Sequence, residues 1–188
     1  MRDHGLRSYG EIVAHYLAEK KPKADNERRW FRIQPKIHDA VRLAGLARGP
    51  HSKRFRHQYR IPERILQRAS RALLKNLHRL GRSKSVEELF QTVQDTVSTI
   101  PGIGPLTVYD TAIRIGARLE LSPQRVYLHA GTQHGAAGLG LNPEGISLPL
   151  SDLPEALDQL SGEEAEDVLC IYAADLARLA QSRRLTSA

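Results

Sequence analysis

Residues 99–107 read TIPGIGPLT, a Pro-Gly-Ile-Gly-Pro turn between two segments whose apolar residues recur at helical spacing. Val97 and Ile100 precede the turn, and Val108, Ala112 and Ile115 follow it, so the two helices can pack on each other. An ordinary helix-to-helix turn needs one glycine at most. Two glycines flanking one apolar residue leave a stretch of bare backbone that something can approach closely.

Helix, Pro-Gly-Ile-Gly, helix is the pattern of a helix-hairpin-helix. Ile103 can tuck between the helices while the N–H groups of the turn and of the next helix's first residues point outward. Such donors, together with a helix dipole, suit a phosphate oxygen. Pro105 costs little at a helix start, and Thr107 adds a hydroxyl. Pro101, Gly102, Ile103, Gly104 and Thr107 are therefore the candidate contacts to double-stranded DNA. Contacts of this kind position a protein on nucleic acid without reading sequence.

Charge supports that partner. Residues 1–100 carry 22 Lys and Arg against 10 Asp and Glu, while residues 101–188 carry 6 against 11, within an overall net charge of +7. The asymmetry points to one region of the molecule facing a polyanion. GPHSKRFRHQYRIP (49–62) is a loop between Gly49-Pro50 and Pro62, with Lys53, Arg54, Arg56 and Arg60 interleaved with Phe55, Tyr59, His51 and His57. The cations can clamp phosphates and Tyr59 can stack on a base. The alternative is a solvated basic loop. Its histidines, without a cysteine or a helical H-E-x-x-H pattern, make a poor metal site, and neither metal nor cofactor is expected.

Elsewhere the chain reads as helices. Ser8-Tyr9-Gly10-Glu11, Ser85-Val86-Glu87-Glu88 and Ser161-Gly162-Glu163-Glu164 have capping-box spacing ahead of apolar-periodic runs. Pro62 opens a long helix with a stripe of Ile65, Leu66, Ala69, Leu73 and Leu77, and Gly81 is placed to cap it. Residues 20–29 read as a charged connector, Pro123 as the start of a short helical segment, and 131–145 as glycine-rich. No strand of useful length is expected. The prediction is one all-α domain over 1–188 with roughly eight helices. It comprises a basic N-terminal helical region (residues 1–95), the helix-hairpin-helix at 86–119 and a C-terminal helical region (residues 120–188). The single cysteine, Cys170, permits no internal disulfide and fits a reducing cytoplasm. No segment has the apolar length of a membrane span, so no membrane partner is expected.

The order of motifs resembles the helix-hairpin-helix DNA glycosylase superfamily, the endonuclease III and MutY-like enzymes. Their pattern is L-P-G-x-G-x-K-T-A, then V-D-T-H, then a helix ending in L-G-L. Here the counterparts are I-P-G-I-G-P-L-T-V at 100–108, V-Y-L-H at 126–129 and L-G-L at 139–141. The resemblance implies a two-lobed helical bundle that flips a damaged or modified base out of DNA and excises it. Repair, or defence against modified foreign DNA near the nucleoid, would be its setting. Leu106 stands where bifunctional members have their lyase lysine, so the implied enzyme is monofunctional. Tyr127 stands where the catalytic aspartate is expected.

A replacement carboxylate would have to stabilise an oxocarbenium-like transition state and orient water. Asp110, one turn beyond Leu106 on the same helix face, is the first candidate. Glu166 and Asp167 are the second. Tyr127 and His129 are candidate catalytic residues beside it, or pocket walls, and Tyr109 is a candidate stacking partner for a base. The bland alternatives are an acid near a helix N-terminus and a histidine capping backbone. The competing functions are a non-catalytic helix-hairpin-helix DNA-binding protein and a nucleotide-transferring enzyme built on His129-Ala130-Gly131-Thr132.

Overall fold

The computed structural model describes residues 3–186. In chain order the elements are α1 (Tyr9–Glu19), α2 (Lys21–Arg32), α3 (Ile37–Gly45), α4 (Glu63–Lys75), α5 (Leu77–Leu80), α6 (Val86–Val97) and α7 (Pro105–Arg118), followed by β1 (Arg125–Tyr127), α8 (Ala130–Leu139), β2 (Ser147–Pro149), α9 (Glu155–Asp158), α10 (Gly162–Ile171) and α11 (Ala173–Thr186). Helices cover 66 % of the chain, which bears out the all-α expectation.

The chain forms two compact units, residues 24–123 and residues up to 23 together with 124 onward. The first holds 19 Lys and Arg against 9 Asp and Glu and is called the basic unit below; the second holds 9 against 12 and is called the acidic unit. The positive charge of the chain therefore belongs to one body.

All three serine caps form. Ser8, Ser85 and Ser161 accept the backbone N–H of Glu11, Glu88 and Glu164 at 3.1, 3.2 and 3.3 Å. Glu164 returns the bond by accepting the N–H of Ser161 at 2.9 Å, completing a capping box.

Four local expectations are corrected. Residues 21–32 form a helix rather than a connector, because Pro22 is tolerated in a first turn and Phe31 is buried completely in the core. The helix after Pro62 breaks at Asn76, whose side chain bonds the carbonyl of Ala72 at 3.2 Å, so Gly81 closes α5 instead. After Pro123 comes β1, which pairs antiparallel with β2, Val126 opposite Leu148. The last helical stretch divides into α10 and α11 at Tyr172.

In the basic unit, Phe31, Val41, Leu73, Leu89, Val93, Val97, Val108 and Ile115 build one core between α2, α3, α4, α6 and α7. In the acidic unit, Ile12, Tyr16, Val126, Leu157, Leu169, Tyr172 and Leu176 build another. There α8 owes its glycines to packing. A Cβ on Gly135 would stand 2.2 Å from the carbonyl oxygen of Leu169 on α10, and one on Gly138 would stand 3.0 Å from Cβ of Ala177 on α11. The spacing of these glycines lets backbone meet backbone.

Asp175, fully buried on α11, anchors the chain's N-terminal stretch. Its carboxylate accepts the N–H of His4 at 3.1 Å and that of Leu6 at 3.3 Å, and Arg178 donates to it at 3.3 Å. Burial pushes the carboxyl up, but the bonds from His4 and its neighbours outweigh it and hold Asp175 at about 2 against the ordinary 3.8. A depressed folded pKa stabilises above the unfolded value and ceases to do so as pH falls through the folded one. Lowering the pH from 5 to 2 should therefore cost about 2 kcal/mol through this group. Urea midpoints across that range should fall less steeply in Asp175→Asn than in the parent chain.

Candidate nucleic-acid interface

In the basic unit a tight turn joins α6 to α7, the stretch read above as a helix-hairpin-helix. Ile103 N–H bonds the carbonyl of Ile100 at 3.0 Å, closing the turn, and Ile103 packs against the core beneath it. Gly104 is the N-cap of α7, and its carbonyl takes the N–H groups of Thr107 and Val108 at 2.9 and 3.1 Å. Among the described residues, the amides of Gly102, Gly104 and Leu106 donate to no backbone carbonyl.

The two glycines differ in kind. Gly102 has φ of +95°, which disfavours a side chain. Gly104 has extended backbone, φ −99° and ψ 173°, and a Cβ there would meet nothing within 4 Å. Nothing inside the protein requires Gly104 to lack a side chain.

Beside the turn lies α4. A Cβ on Gly102 would stand 3.7 Å from Ile65 in the first turn of α4. Leu66, Ala69, Ser70 and Leu73 bury one face of that helix. Arg64, Arg68, Arg71 and Lys75 are all exposed and recur at the i, i+4, i+7, i+11 spacing. At 100° per residue they fall within about 60° of one another, a cationic stripe roughly 16 Å long on the face away from the core. The only acid on α4, Glu63, is engaged by Arg48 at 3.1 Å and by Arg54. This stripe was missed in the sequence because its positions read as the solvated side of an amphipathic helix; the signal was that all four are cations.

The loop 49–62 is folded rather than free. Arg54 bonds the carbonyl of Ile61 at 2.9 Å as well as Glu63, so its fork holds the loop to α4. Phe55 packs into the core. Lys53, Arg56 and Arg60 are exposed, and Tyr59 is 74 % exposed with its ring open to stacking. Tyr109 lies inside the basic unit, 4 % exposed.

Asp110 sits on α7 in a network centred on Arg114. Gln58 Nε2 donates to Asp110 Oδ2 at 2.5 Å, Arg114 reaches the same oxygen at 3.4 Å, and His57 Nδ1 lies 3.6 Å from it. Arg114 also bonds Glu27 at 3.2 Å and Gln58 at 3.3 Å, and its guanidinium lies 3.8 Å from the ring centroid of Phe55. Burial pushes the Asp110 carboxyl up, but the charge of Arg114 and the bonds from His57 and Gln58 outweigh it. The group is held below the ordinary carboxylate range and is ionised at neutral pH. It can stabilise positive charge but cannot donate a proton.

Tyr127, His129, Glu166 and Asp167 belong to the acidic unit. Tyr127 is buried on β1. His129 is the N-cap of α8, where its Nδ1 accepts the N–H of Gly131 at 3.3 Å and its Nε2 bonds Glu166. Asp167 accepts from the Tyr16 hydroxyl at 2.9 Å. Gly131 leaves room for the Cys170 sulfur, which accounts for the one glycine of the His-Ala-Gly-Thr stretch.

Among the described residues no helix is long and apolar enough to cross a membrane. Comparisons with protein-family models, curated proteins and solved structures give no match to this chain.

Arg114 is 6 % exposed, and removing it takes the guanidinium charge from Asp110 and leaves Gln58 and His57 as its partners. Arg114→Met should therefore destabilise the chain by about 3 kcal/mol, read from a urea titration at pH 7. A loss below about 1 kcal/mol would show that solvent screens the pair.

Proposed function

We propose that the basic unit binds double-stranded DNA through its phosphates, the hairpin 101–107 supplying backbone donors and the cations of α4 flanking it. The observation that carries this reading is Gly104, an exposed glycine whose missing side chain serves no contact within the protein, beside amides that no carbonyl uses. A phosphate oxygen needs that combination of donors and open approach. Arg64, Arg68, Arg71 and Lys75 extend the same electrostatic surface, and Lys53, Arg56 and Arg60 add to it. Binding of this kind is sequence-independent and salt-dependent.

Base excision is the second reading, favoured by the state of Asp110. An ionised carboxylate shielded from water suits stabilisation of an oxocarbenium-like sugar, the chemistry that the resemblance to helix-hairpin-helix glycosylases implies. With Leu106 at the lysine position, the product would be an intact abasic site. The Arg114 contact counts against high activity, because it already draws on the same oxygen.

Gly104→Gln tests the binding reading without disturbing the fold, since its backbone is extended and the space is open. Affinity for a 20-base-pair duplex should fall at least tenfold with an unchanged melting temperature. Replacing Arg64, Arg68 and Arg71 together by Gln should lower the slope of log K against log salt by about 2.7, three phosphate contacts at 0.9 each. If both variants bind like the parent, the interface is elsewhere. Duplexes carrying damaged or naturally modified bases, scored for alkali-labile sites, separate the two readings. Sites that disappear in Asp110→Asn, with binding retained, establish excision; binding without such sites on the panel supports a DNA-binding protein.

A further inference from the structure

We infer that the acidic unit carries a site for a transition-metal dication of the zinc class, with His129, Glu166 and Cys170 as its ligands. The three side chains place one ligand atom each within 4.8 Å of one another. Nitrogen, carboxylate oxygen and thiolate sulfur together are the donor set that zinc and its neighbours in the first transition row accept. His129 and Glu166 are 5 % and 6 % exposed, and Cys170 is partly exposed, so the cluster is sheltered but reachable from the Cys170 side.

The fold builds this cluster. Glu166 and Cys170 stand one turn apart on α10, which puts them on one face. His129 is fixed at the start of α8 by its capping role, with its own N–H donated to Thr132 Oγ1 at 2.7 Å and Thr132 bonded to the carbonyl of Tyr127 at 3.2 Å. Between them is Gly131: a Cβ there would stand 2.5 Å from Cys170 Sγ, so the glycine makes the room that the sulfur occupies. Gly135 against Leu169 locks α8 to α10 and sets the ligand spacing.

Charge and protons balance. A dication with one carboxylate and one thiolate is neutral, which removes the cost of a buried charge. The ion takes the place of the proton between His129 Nε2 and Glu166. That proton moves to Nδ1 at the expense of the long bond from Gly131, and the thiol proton leaves to solvent. Affinity should thus rise about tenfold per pH unit while the thiol is protonated. Three protein ligands leave a tetrahedral ion one open position, for water or an anion.

A paired nucleophile is the other use of Cys170 beside a histidine. It is disfavoured because one imidazole nitrogen accepts the Gly131 N–H and the other engages Glu166, so both ring nitrogens already have work as partners of other groups.

Titration of the full chain with Co²⁺ provides the test. One equivalent should bind with a thiolate-to-cobalt charge-transfer band in the near ultraviolet, and Zn²⁺ should abolish that band by competition. Cys170→Ser should lose the band, Glu166→Gln should keep it with at least tenfold weaker binding, and the exposed His134→Asn should behave as the parent. Zn²⁺ should raise the melting temperature of the parent but not that of Cys170→Ser. Each variant is first shown to unfold cooperatively, and if Cys170→Ser does not, Glu166→Gln carries the test. Cobalt binding without a thiolate band, or with an affinity that Glu166→Gln leaves unchanged, overturns the assignment. The readout is independent of DNA, so its failure leaves the proposed function untouched, and the reverse.

Discussion

The guanidinium of Arg114 holds the basic unit together. It is buried on α7, lies over the ring of Phe55, and bonds Asp110, Gln58 and Glu27. A buried charge is tolerable only when its donors are satisfied, and here the partners come from three places. Glu27 belongs to α2, Phe55 and Gln58 to the loop before α4, and Asp110 to α7 itself. One residue thereby fixes a helix, a cation-rich loop and the second helix of the hairpin in a single arrangement. The turn before α7 is thereby presented from a rigid base, so its exposed amides are ordered within the folded unit.

That role changes how Asp110 is understood. From spacing alone it is a carboxylate near a helix N-terminus, one turn beyond Leu106. In the folded unit it is also the counter-ion of Arg114. The two roles compete for the same oxygen, since Gln58, Arg114 and His57 all converge on Oδ2. A group so engaged is poised as a fixed negative charge rather than as a base. Chemistry there would be electrostatic stabilisation, with water positioned by another group.

What was legible in the sequence was local. The serine caps at 8, 85 and 161, the turn at 100–104 and the apolar faces around Val93 and Ile115 depend on spacings of three or four residues, and the chain carries those openly. What was hidden depends on distant partners. The charged run 21–32 is a helix because Phe31 finds a core and Glu27 finds Arg114, 87 residues away. Arg54 bonds Glu63 and the carbonyl of Ile61, partners which no loop sequence announces. The His129, Glu166 and Cys170 cluster spans more than forty residues, and only the fold brings His129 to the other two. β1 is short and pairs only with β2, so three residues of alternation gave no signal.

The glycines of α8 and those of the turn before α7 are there for different reasons. In α8 each glycine has an internal reason: Gly131 clears Cys170, Gly135 admits the carbonyl of Leu169, and Gly138 admits Ala177. A side chain at any of them collides with the protein, so their presence says only that helices must approach closely. In the hairpin, Gly102 has a conformational reason in its positive φ. Gly104 has neither reason. Its backbone is one that any residue adopts, and the space around it is open. A glycine lowers stability by enlarging the freedom of the unfolded chain, so Gly104 costs stability and gains no contact within the protein in return. Beside it stand the amides of the turn and of the first residues of α7, at the positive end of a 14-residue helix. The group that this arrangement excludes least and attracts most is small, anionic and rich in acceptor oxygens, and the cations of α4 repeat the same preference along the neighbouring helix.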